Sequence, residues 1–271
     1  MKTKVSSLND ALNLIKDRSV IAMTTSIIDD APMAFLRNLI KRGQKHLRFI
    51  GVTGSGLNID MVIGAGIVSE LDTCSISLGD FGPAPNFQRN IKKDNQINLK
   101  DNTCGVMYSM VQAGVMGVPF VPVRGLWDTD IFKNRGDFKL RKNPFSKGED
   151  IILASAIKPD VAIFHGIKAD KFGNTITAPQ RDDLMLAQAS SNVVVTVEEI
   201  VQSKLRAPEP SKGTFIPGIY VDAVVELPGG AHPGGCYQSY NADVKHINEY
   251  IQSSKTQDLF LSYLNKYVFT V

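Results

Sequence analysis

The stretch Tyr220-Val-Asp-Ala-Val-Val-Glu-Leu-Pro-Gly-Gly-Ala-His-Pro-Gly-Gly-Cys-Tyr237 joins a short apolar run to a loop of glycine and proline. Ala223-Val-Val225 reads as a buried strand, and it stops abruptly at Leu227-Pro228-Gly229-Gly230. A strand that empties into such a loop is where α/β proteins build sites, since glycine lets the backbone approach a ligand or another chain closely. The loop also carries His232 and Cys236, which suggests a thiolate–imidazole pair. Four residues of Pro/Gly loop set no fixed geometry, however, and no positively charged helix N-terminus is evident to lower the thiol pKa. The expectation is therefore a packed cysteine and a backbone-bonded histidine.

The same unit, an apolar strand followed by a loop and an amphipathic helix, recurs outward from this stretch. Leu8, Leu12 and Ile15 take helical spacing after Ser6-Ser7, which supplies a serine cap. Val20 to Met23 is a strand, Pro32 opens a helix over Met33 to Lys41, and Leu47 to Val52 is a second strand. Helices are expected over Ile59 to Ile63, Phe87 to Lys93 and Thr103 to Gly114, with a strand over Asp72 to Leu78. Pro119 to Val123 and Asp150 to Ala154 are further ordered segments. Val161 to Phe164 and Val193 to Val197 are β-rich runs around a helix at Asp182 to Ser190, and one or two helices close the chain over Asp243 to Tyr267. Short apolar strands alternating with helices predict an α/β fold, an open, mainly parallel sheet with helices on both faces. Residues 1–271 are expected to form a single domain, with a surface excursion near 125–148 where the chain turns polar and aperiodic.

Composition narrows the function classes. Lys plus Arg number 30 against 27 for Asp plus Glu, a net charge of +3 spread along the chain, which argues against nucleic acid. No run approaches the roughly 18 apolar residues of a membrane span, and Met1-Lys-Thr-Lys-Val5 lacks the apolar core of a signal peptide. Cys74, Cys104 and Cys236 fit no zinc pattern and cannot all pair, so no metal site and a reducing cytoplasm are expected.

Several loops offer candidate chemistry. Thr53-Gly-Ser-Gly-Leu-Asn58 is a strand-to-helix turn of the kind that presents N–H groups to an anion, but no Gly-Lys-Ser/Thr follows and the spacing of a dinucleotide fingerprint fails. Tight packing of helix on strand explains the same glycines. His165, after a buried strand, could serve as general acid or base with Asp170 and Lys171; the competing reading is a turn stabilised by Asp170 and Asn174. Asp29-Asp30 reads as a solvated turn rather than a cation site, and Asp182-Asp183 as the acidic start of a helix. Glu70, Glu198, Glu199 and Glu226 could act as covalent nucleophiles, yet none has an activating partner in sequence, and Glu198-Glu199 are expected to end a strand and begin a helix.

In order along the chain, Ala31-Pro-Met-Ala-Phe35, Gly54-Ser-Gly-Leu-Asn-Ile-Asp60 with Ile63-Gly-Ala-Gly66, and Phe81-Gly-Pro-Ala-Pro-Asn-Phe87 resemble the alpha (A) subunit of family I coenzyme A transferases. Within that family the resemblance is to the alpha chains of the glutaconate CoA-transferase-like group. It continues through Gly117 to Pro122, Asp160 to His165, Ala169 to Asn174, Val197 to Val201 and Val221 to Pro233 with Cys236-Tyr237. Each glycine motif alone is weak; together, in order, they are specific.

The resemblance implies an open α/β subunit that pairs with a beta subunit, commonly as α2β2. It implies no catalytic residue in this chain, because the family's nucleophilic glutamate belongs to the beta subunit. It also implies no tightly bound cofactor, with a coenzyme A thioester and a carboxylic acid as substrates. The alpha subunit contributes loops to an interface pocket, which places Thr24, Thr25, Ser26, Gly54, Ser55, Gly79 and Phe81 at that pocket, with His165 and Gln180 as further candidates. Thr24-Thr25-Ser26 stands where family members often carry a Gly-Gly-Phe-like element, so the pocket is expected to be narrower and more polar. Two rival readings follow: a CoA-thioester hydrolase of the ring-cleaving kind on the same scaffold, and a non-catalytic structural or regulatory partner.

Overall fold

Ser7 opens the first helix as its sequence suggests, the side chain accepting a hydrogen bond from the Asp10 N–H. In a computed structural model that describes residues 2–24, 26–52, 54–92 and 97–270, the chain begins α1 (Leu8–Leu12), β1 (Val20–Met23), α2 (Met33–Arg42), β2 (Leu47–Gly51). It continues α3 (Leu57–Gly64), β3 (Val68–Thr73), α4 (Pro85–Ile91), β4 (Asn98–Asp101), α5 (Cys104–Val115) and β5 (Phe120–Val123). Next come α6 (Asp130–Asn134), β6 (Phe138–Lys142), β7 (Asp150–Ser155), β8 (Val161–Asp170), β9 (Thr175–Thr177), α7 (Asp183–Ala189) and β10 (Asn192–Val201). The last elements are β11 (Thr214–Ile216), β12 (Ala223–Glu226), α8 (Val244–Ser253) and α9 (Gln257–Leu264).

The main sheet runs β11-β9-β8-β1-β2-β3-β4, with β10 also on β8 and β12 on β10. Every pairing in it is parallel except those of β9 with β8 and β11. Adjacent residues of β1 feed different apolar layers. Ile21 and Met23 join the layer of α2, α3, α8 and α9, whereas Ala22 joins that of α5 and α7. A sheet buried on both faces needs apolar residues at every position, which is why its strands read as continuous hydrophobic runs. The expected open, mainly parallel α/β sheet with helices on both faces is the observed one.

Four segments depart from the sequence reading. The strand expected at 72–78 lies earlier, at β3, because Glu70 takes ion pairs with Arg48 and Lys100 on the flanking strands and so disguises a strand as polar. β8 does not stop at Phe164 but continues to Asp170, and β10 runs on through Glu198 and Glu199 to Val201 rather than turning into a helix. Their parallel ladder extends from Asn192↔Val161 to Val201↔Asp170, so the pairing outlasts the apolar pattern. Within the 125–148 stretch, α6 and β6 are ordered, and β6 pairs with β7 in a small antiparallel sheet β5-β7-β6. Phe138 is buried there under the Arg135 guanidinium, 4.6 Å from its ring. Among the described residues no helix is long and apolar enough to cross a membrane.

Candidate active site at the strand exits

The C-terminal ends of β1, β2 and β3 open side by side, and the loops that leave them interlock. Leu57 N–H, at the start of α3, donates to the Ile27 carbonyl at 3.1 Å. A Cβ on Gly56 would stand 1.6 Å from that carbonyl oxygen, so only glycine lets the two loops meet. Ser55 is buried: its N–H donates to the Ser75 carbonyl at 2.9 Å and its Oγ lies 3.0 Å from Thr73 Oγ1. Gly56 N–H turns toward Asn58 Oδ1 at 3.3 Å. The anion-cradle geometry weighed for residues 53–58 is thus largely occupied by the protein's own acceptors, and Thr53 lies outside the described residues.

Thr24 leaves β1 almost fully buried. Its hydroxyl donates to Asp183 and accepts from Arg181 Nη2 at 2.9 Å, while the same Nη2 reaches the Thr24 carbonyl at 3.1 Å. Arg181 Nη1 adds a 2.8 Å bond to the Asp30 carbonyl, and its Nε pairs with Asp183 at 3.1 Å. One guanidinium therefore clamps both ends of the 24–30 corner. Thr25 lies outside the described residues. Ser26 is exposed, with Oγ 3.4 Å from Asp30 Oδ2. Gly79, at φ +61°, lies within 3.6 Å of Ile27 Cγ2 as measured from its ideal Cβ, so the 79–81 turn borders the same corner, with Phe81 partly buried against the core. The structure thus puts Thr24, Ser26 and Gly79 around the residue 27 loop, with Gly54 and Ser55 in the adjoining turn that meets it through Gly56 and Leu57.

The loop after β12 covers the other side. Asp30 N–H donates to the Gly235 carbonyl at 2.8 Å, Asp29 Oδ1 accepts from Gly235 N–H at 2.6 Å, and Asp30 Oδ1 accepts from Tyr237 N–H at 2.8 Å. Asp29-Asp30 is therefore a loop fastener rather than a solvated turn. Burial raises the Asp30 carboxyl above its ordinary range, against the opposing pull of the Tyr237 N–H and Arg181. Between this corner and the 235–242 turn lies a cleft of about 500 Å³ lined by Asp29, Asp30, Cys236, Tyr237, Gln238 and Tyr240.

Beneath that turn sits His165, placed inside β8 opposite Thr196 of β10 and 1% exposed. Its Nδ1 shares a 2.8 Å hydrogen bond with Thr196 Oγ1, and its Nε2 lies 2.8 Å from Glu198 Oε1. Glu198 also accepts from Gly229 N–H at 2.8 Å, Gly230 N–H at 3.2 Å and the Tyr240 hydroxyl at 2.9 Å. Burial alone would raise the Glu198 carboxyl; the bonds from His165, Gly229 and Tyr240 overcome it and hold the group below its ordinary range. Asp170, by contrast, makes the turn: its Oδ1 accepts from Phe172 N–H at 2.8 Å and Asn174 N–H at 3.1 Å.

His232 and Cys236 do not form a pair. His232 Nε2 faces Asp243 Oδ2 at 3.2 Å, whereas Cys236 is 2% exposed and has the ligand atoms of His165 and Glu198 for neighbours. Burial pushes the Cys236 thiol up to about 12, so it is protonated and unreactive near neutral pH. Arg181, Asp183 and Tyr240 escaped the sequence reading as site residues. The polar run Gln180-Arg-Asp-Asp183 before a helix is the only local signal for the first two, and nothing local marks Tyr240.

Comparison with known proteins accords with this architecture. The sequence profile of the coenzyme A transferase family matches residues 5–227. An uncharacterised protein of Archaeoglobus fulgidus is 33% identical over 100% of the chain, which spans 60% of that protein's length. The alpha (A) subunit of glutaconate CoA-transferase from Acidaminococcus fermentans is 30% identical, the alignment covering 98% of this chain and 88% of that one. The crystal structure of glutaconate coenzyme A-transferase from the same organism superposes with a TM-score of 0.88 at 28% identity, over 99% of this chain and 90% of its counterpart. The IpdA subunit of a cholesterol ring-cleaving hydrolase from Rhodococcus jostii is 28% identical over 97% of this chain and 90% of its own.

Proposed function

Because this chain belongs to the coenzyme A transferase family, we propose that it is the alpha subunit of a heteromeric enzyme that moves coenzyme A from an acyl-CoA to a carboxylic acid. A beta subunit, in an α2β2 assembly working in a reducing cytoplasm, supplies the nucleophilic glutamate. The observation that carries the reading is the near end-to-end similarity to the alpha chain of a glutaconate CoA-transferase.

The geometry supports a non-nucleophilic role. Three carboxylates at the strand exits are held by internal donors: Asp183 by Thr24 and Arg181, Asp30 by Tyr237 N–H, and Glu198 by His165, Gly229, Gly230 and Tyr240. A carboxylate engaged in this way is a poor nucleophile, since attack would weaken or strip the hydrogen bonds that hold it. In the reaction proposed, the partner's glutamate attacks the thioester carbonyl and expels CoA thiolate, leaving an acyl–glutamyl anhydride. The thiolate then attacks the glutamyl carbonyl, releasing the first acid and leaving a glutamyl-CoA thioester, which the acceptor carboxylate reopens by the same steps in reverse. Ser26, Gly79 and Phe81 would border the acyl group, and Thr24, Gly54 and Ser55 would shape the wall behind them. Preorganised donors of this kind act on the oxyanion of each tetrahedral intermediate.

A hydrolase on the same scaffold is the second reading. It is favoured by the similarity to the IpdA chain of the ring-cleaving hydrolase and by the exposed hydroxyl of Ser26, which could hold a water near the acyl carbon. One experiment separates the two. The copurified pair is incubated with an acyl-CoA, with and without an acceptor acid, and trapped with borohydride or hydroxylamine. Modification of the beta chain alone, with CoA transfer only when acceptor is present, supports the transferase. Release of free thiol without acceptor supports the hydrolase, and modification of this chain overturns both assignments of the nucleophile.

A further inference from the structure

Away from the strand exits, His232, Asp243 and His246 each bring one ligating atom to within 4.8 Å of the other two. His232 Nε2 and Asp243 Oδ2 are 3.2 Å apart, close to the edge of a tetrahedron built on metal–ligand bonds of about 2.0–2.1 Å. The rings of His232 and His246 meet edge to face, with centroids 4.9 Å apart.

Each ligand is held by a second interaction that leaves the required atom available. The His232 backbone is fixed at both ends, its N–H donating to the Gly229 carbonyl at 3.1 Å and its carbonyl accepting from Arg37 Nη1 at 2.7 Å. Asp243 N–H donates to the Pro233 carbonyl at 2.8 Å. Its Oδ1 caps α8 by accepting from His246 N–H at 3.0 Å, so Oδ2 is the oxygen turned to His232. His246 Nε2 bonds the buried Tyr263 hydroxyl at 2.8 Å, which leaves Nδ1 for an ion. A histidine whose second ring nitrogen is fixed by a partner is the usual arrangement of an imidazole ligand.

We propose that His232, Asp243 and His246 bind one divalent transition-metal ion of the zinc class. Two imidazoles and one carboxylate suit zinc, cobalt(II) or nickel(II) better than magnesium or calcium, which prefer all-oxygen shells. The side chains of His232 and Asp243 are 42% and 44% exposed, so water completes the coordination. The ion would join the 228–237 loop, which closes over Glu198, to the start of α8. Arg37 and Glu249 are charged groups near His246, one opposing a cation and the other favouring it. The role is structural: the ion fastens two elements that the side chains join by the His232–Asp243 ion pair and the His232–His246 ring contact.

The test uses the full chain, stripped with a chelator and titrated with cobalt(II) and with zinc. The wild type is expected to take up one ion per chain, giving the visible ligand-field bands of a low-symmetry cobalt site and a rise in Tm with saturating zinc. His232→Ala and His246→Ala should each weaken binding by at least about tenfold. Asp243→Asn retains a capping oxygen for α8 while losing the carboxylate charge, so it should weaken binding while leaving the metal-free Tm nearly unchanged. Cys104→Ser and Cys236→Ser should leave uptake unchanged. No uptake by the wild type, uptake unaltered in all three ligand variants, or uptake lost in a cysteine variant would overturn the proposal.

Discussion

His165 and Glu198 stand on adjacent parallel strands with Nε2 and Oε1 2.8 Å apart, and the same Glu198 oxygens hold the backbone of Gly229 and Gly230. A side chain of the sheet thus fixes the first turn of the glycine-rich loop that opens after β12. Replacing Glu198 by Gln removes the charge and puts an amide donor among groups that are donors themselves. A loss of about 2–3 kcal/mol at pH 7 is expected, measured by urea unfolding.

The pH dependence of that loss has a definite sign. The folded carboxyl lies below its ordinary 4.5, so its contribution is fully present above pH 4.5 and is lost as pH falls through the lower folded value. The stability gap between wild type and Glu198→Gln should therefore be widest near neutral pH and narrow on acidification below 4.5. A gap that widens on acidification would contradict the assigned role.

Arg181 clamps the 24–30 corner while paired with Asp183, both almost inaccessible at 4% and 0% exposure. Arg181→Ala leaves the Asp183 carboxylate buried with only the Thr24 hydroxyl, which should cost about 3–5 kcal/mol. The double variant Arg181→Met/Asp183→Leu should recover part of that stability, because no uncompensated charge remains. If the proposed function holds, CoA-transfer activity with the partner should stay low in both, since the corner that carries Ser26 loses its clamp.

Gly56→Ala cannot be accommodated without moving the Ile27 carbonyl, 1.6 Å from the added Cβ. The variant should fold with a lower Tm and show a larger fall in kcat/KM than Gly43→Ala. At Gly43, the left-handed end of α2, a Cβ meets nothing within 4 Å, so that change perturbs backbone strain without touching the strand exits. Equal effects of the two substitutions on kcat/KM would argue against a role for the 27–56 contact.

Thiol reactivity should follow exposure. Cys104 is exposed and Cys236 buried, with the Cys236 thiol pushed up to about 12. Iodoacetamide at neutral pH, followed by peptide mass mapping, should label Cys104 first and spare Cys236 in the folded chain. Cys236→Ser should retain most of the activity; a loss beyond about tenfold would restore the cysteine as a reactive group.

The apolar runs at Val20–Met23, Val161–Phe164 and Val193–Val197, alternating with helical segments, are enough to read a mainly parallel sheet. The helix starts at Ser7 and Pro32 are equally legible, because a serine cap and the fixed φ of proline are both local. Strand ends are not. Glu70, His165 and Glu198 lie in strands where their polar side chains find partners on neighbouring strands or loops, and an isolated segment carries no mark of those partners. The ordered 125–148 stretch escaped for the same reason, since β6 exists by pairing with β7.

By itself the sequence determined the fold class and the family. The tertiary structure decided what the loops that leave the sheet do. It separated His232 from Cys236, joined Arg181 to Thr24 and Glu198 to Gly229, and put His232 beside His246. Helix and strand signals act over a few residues of chain, whereas a parallel sheet brings together residues whole strand–helix–strand units apart. Partners at that separation are set by the order of the strands, which no local pattern encodes.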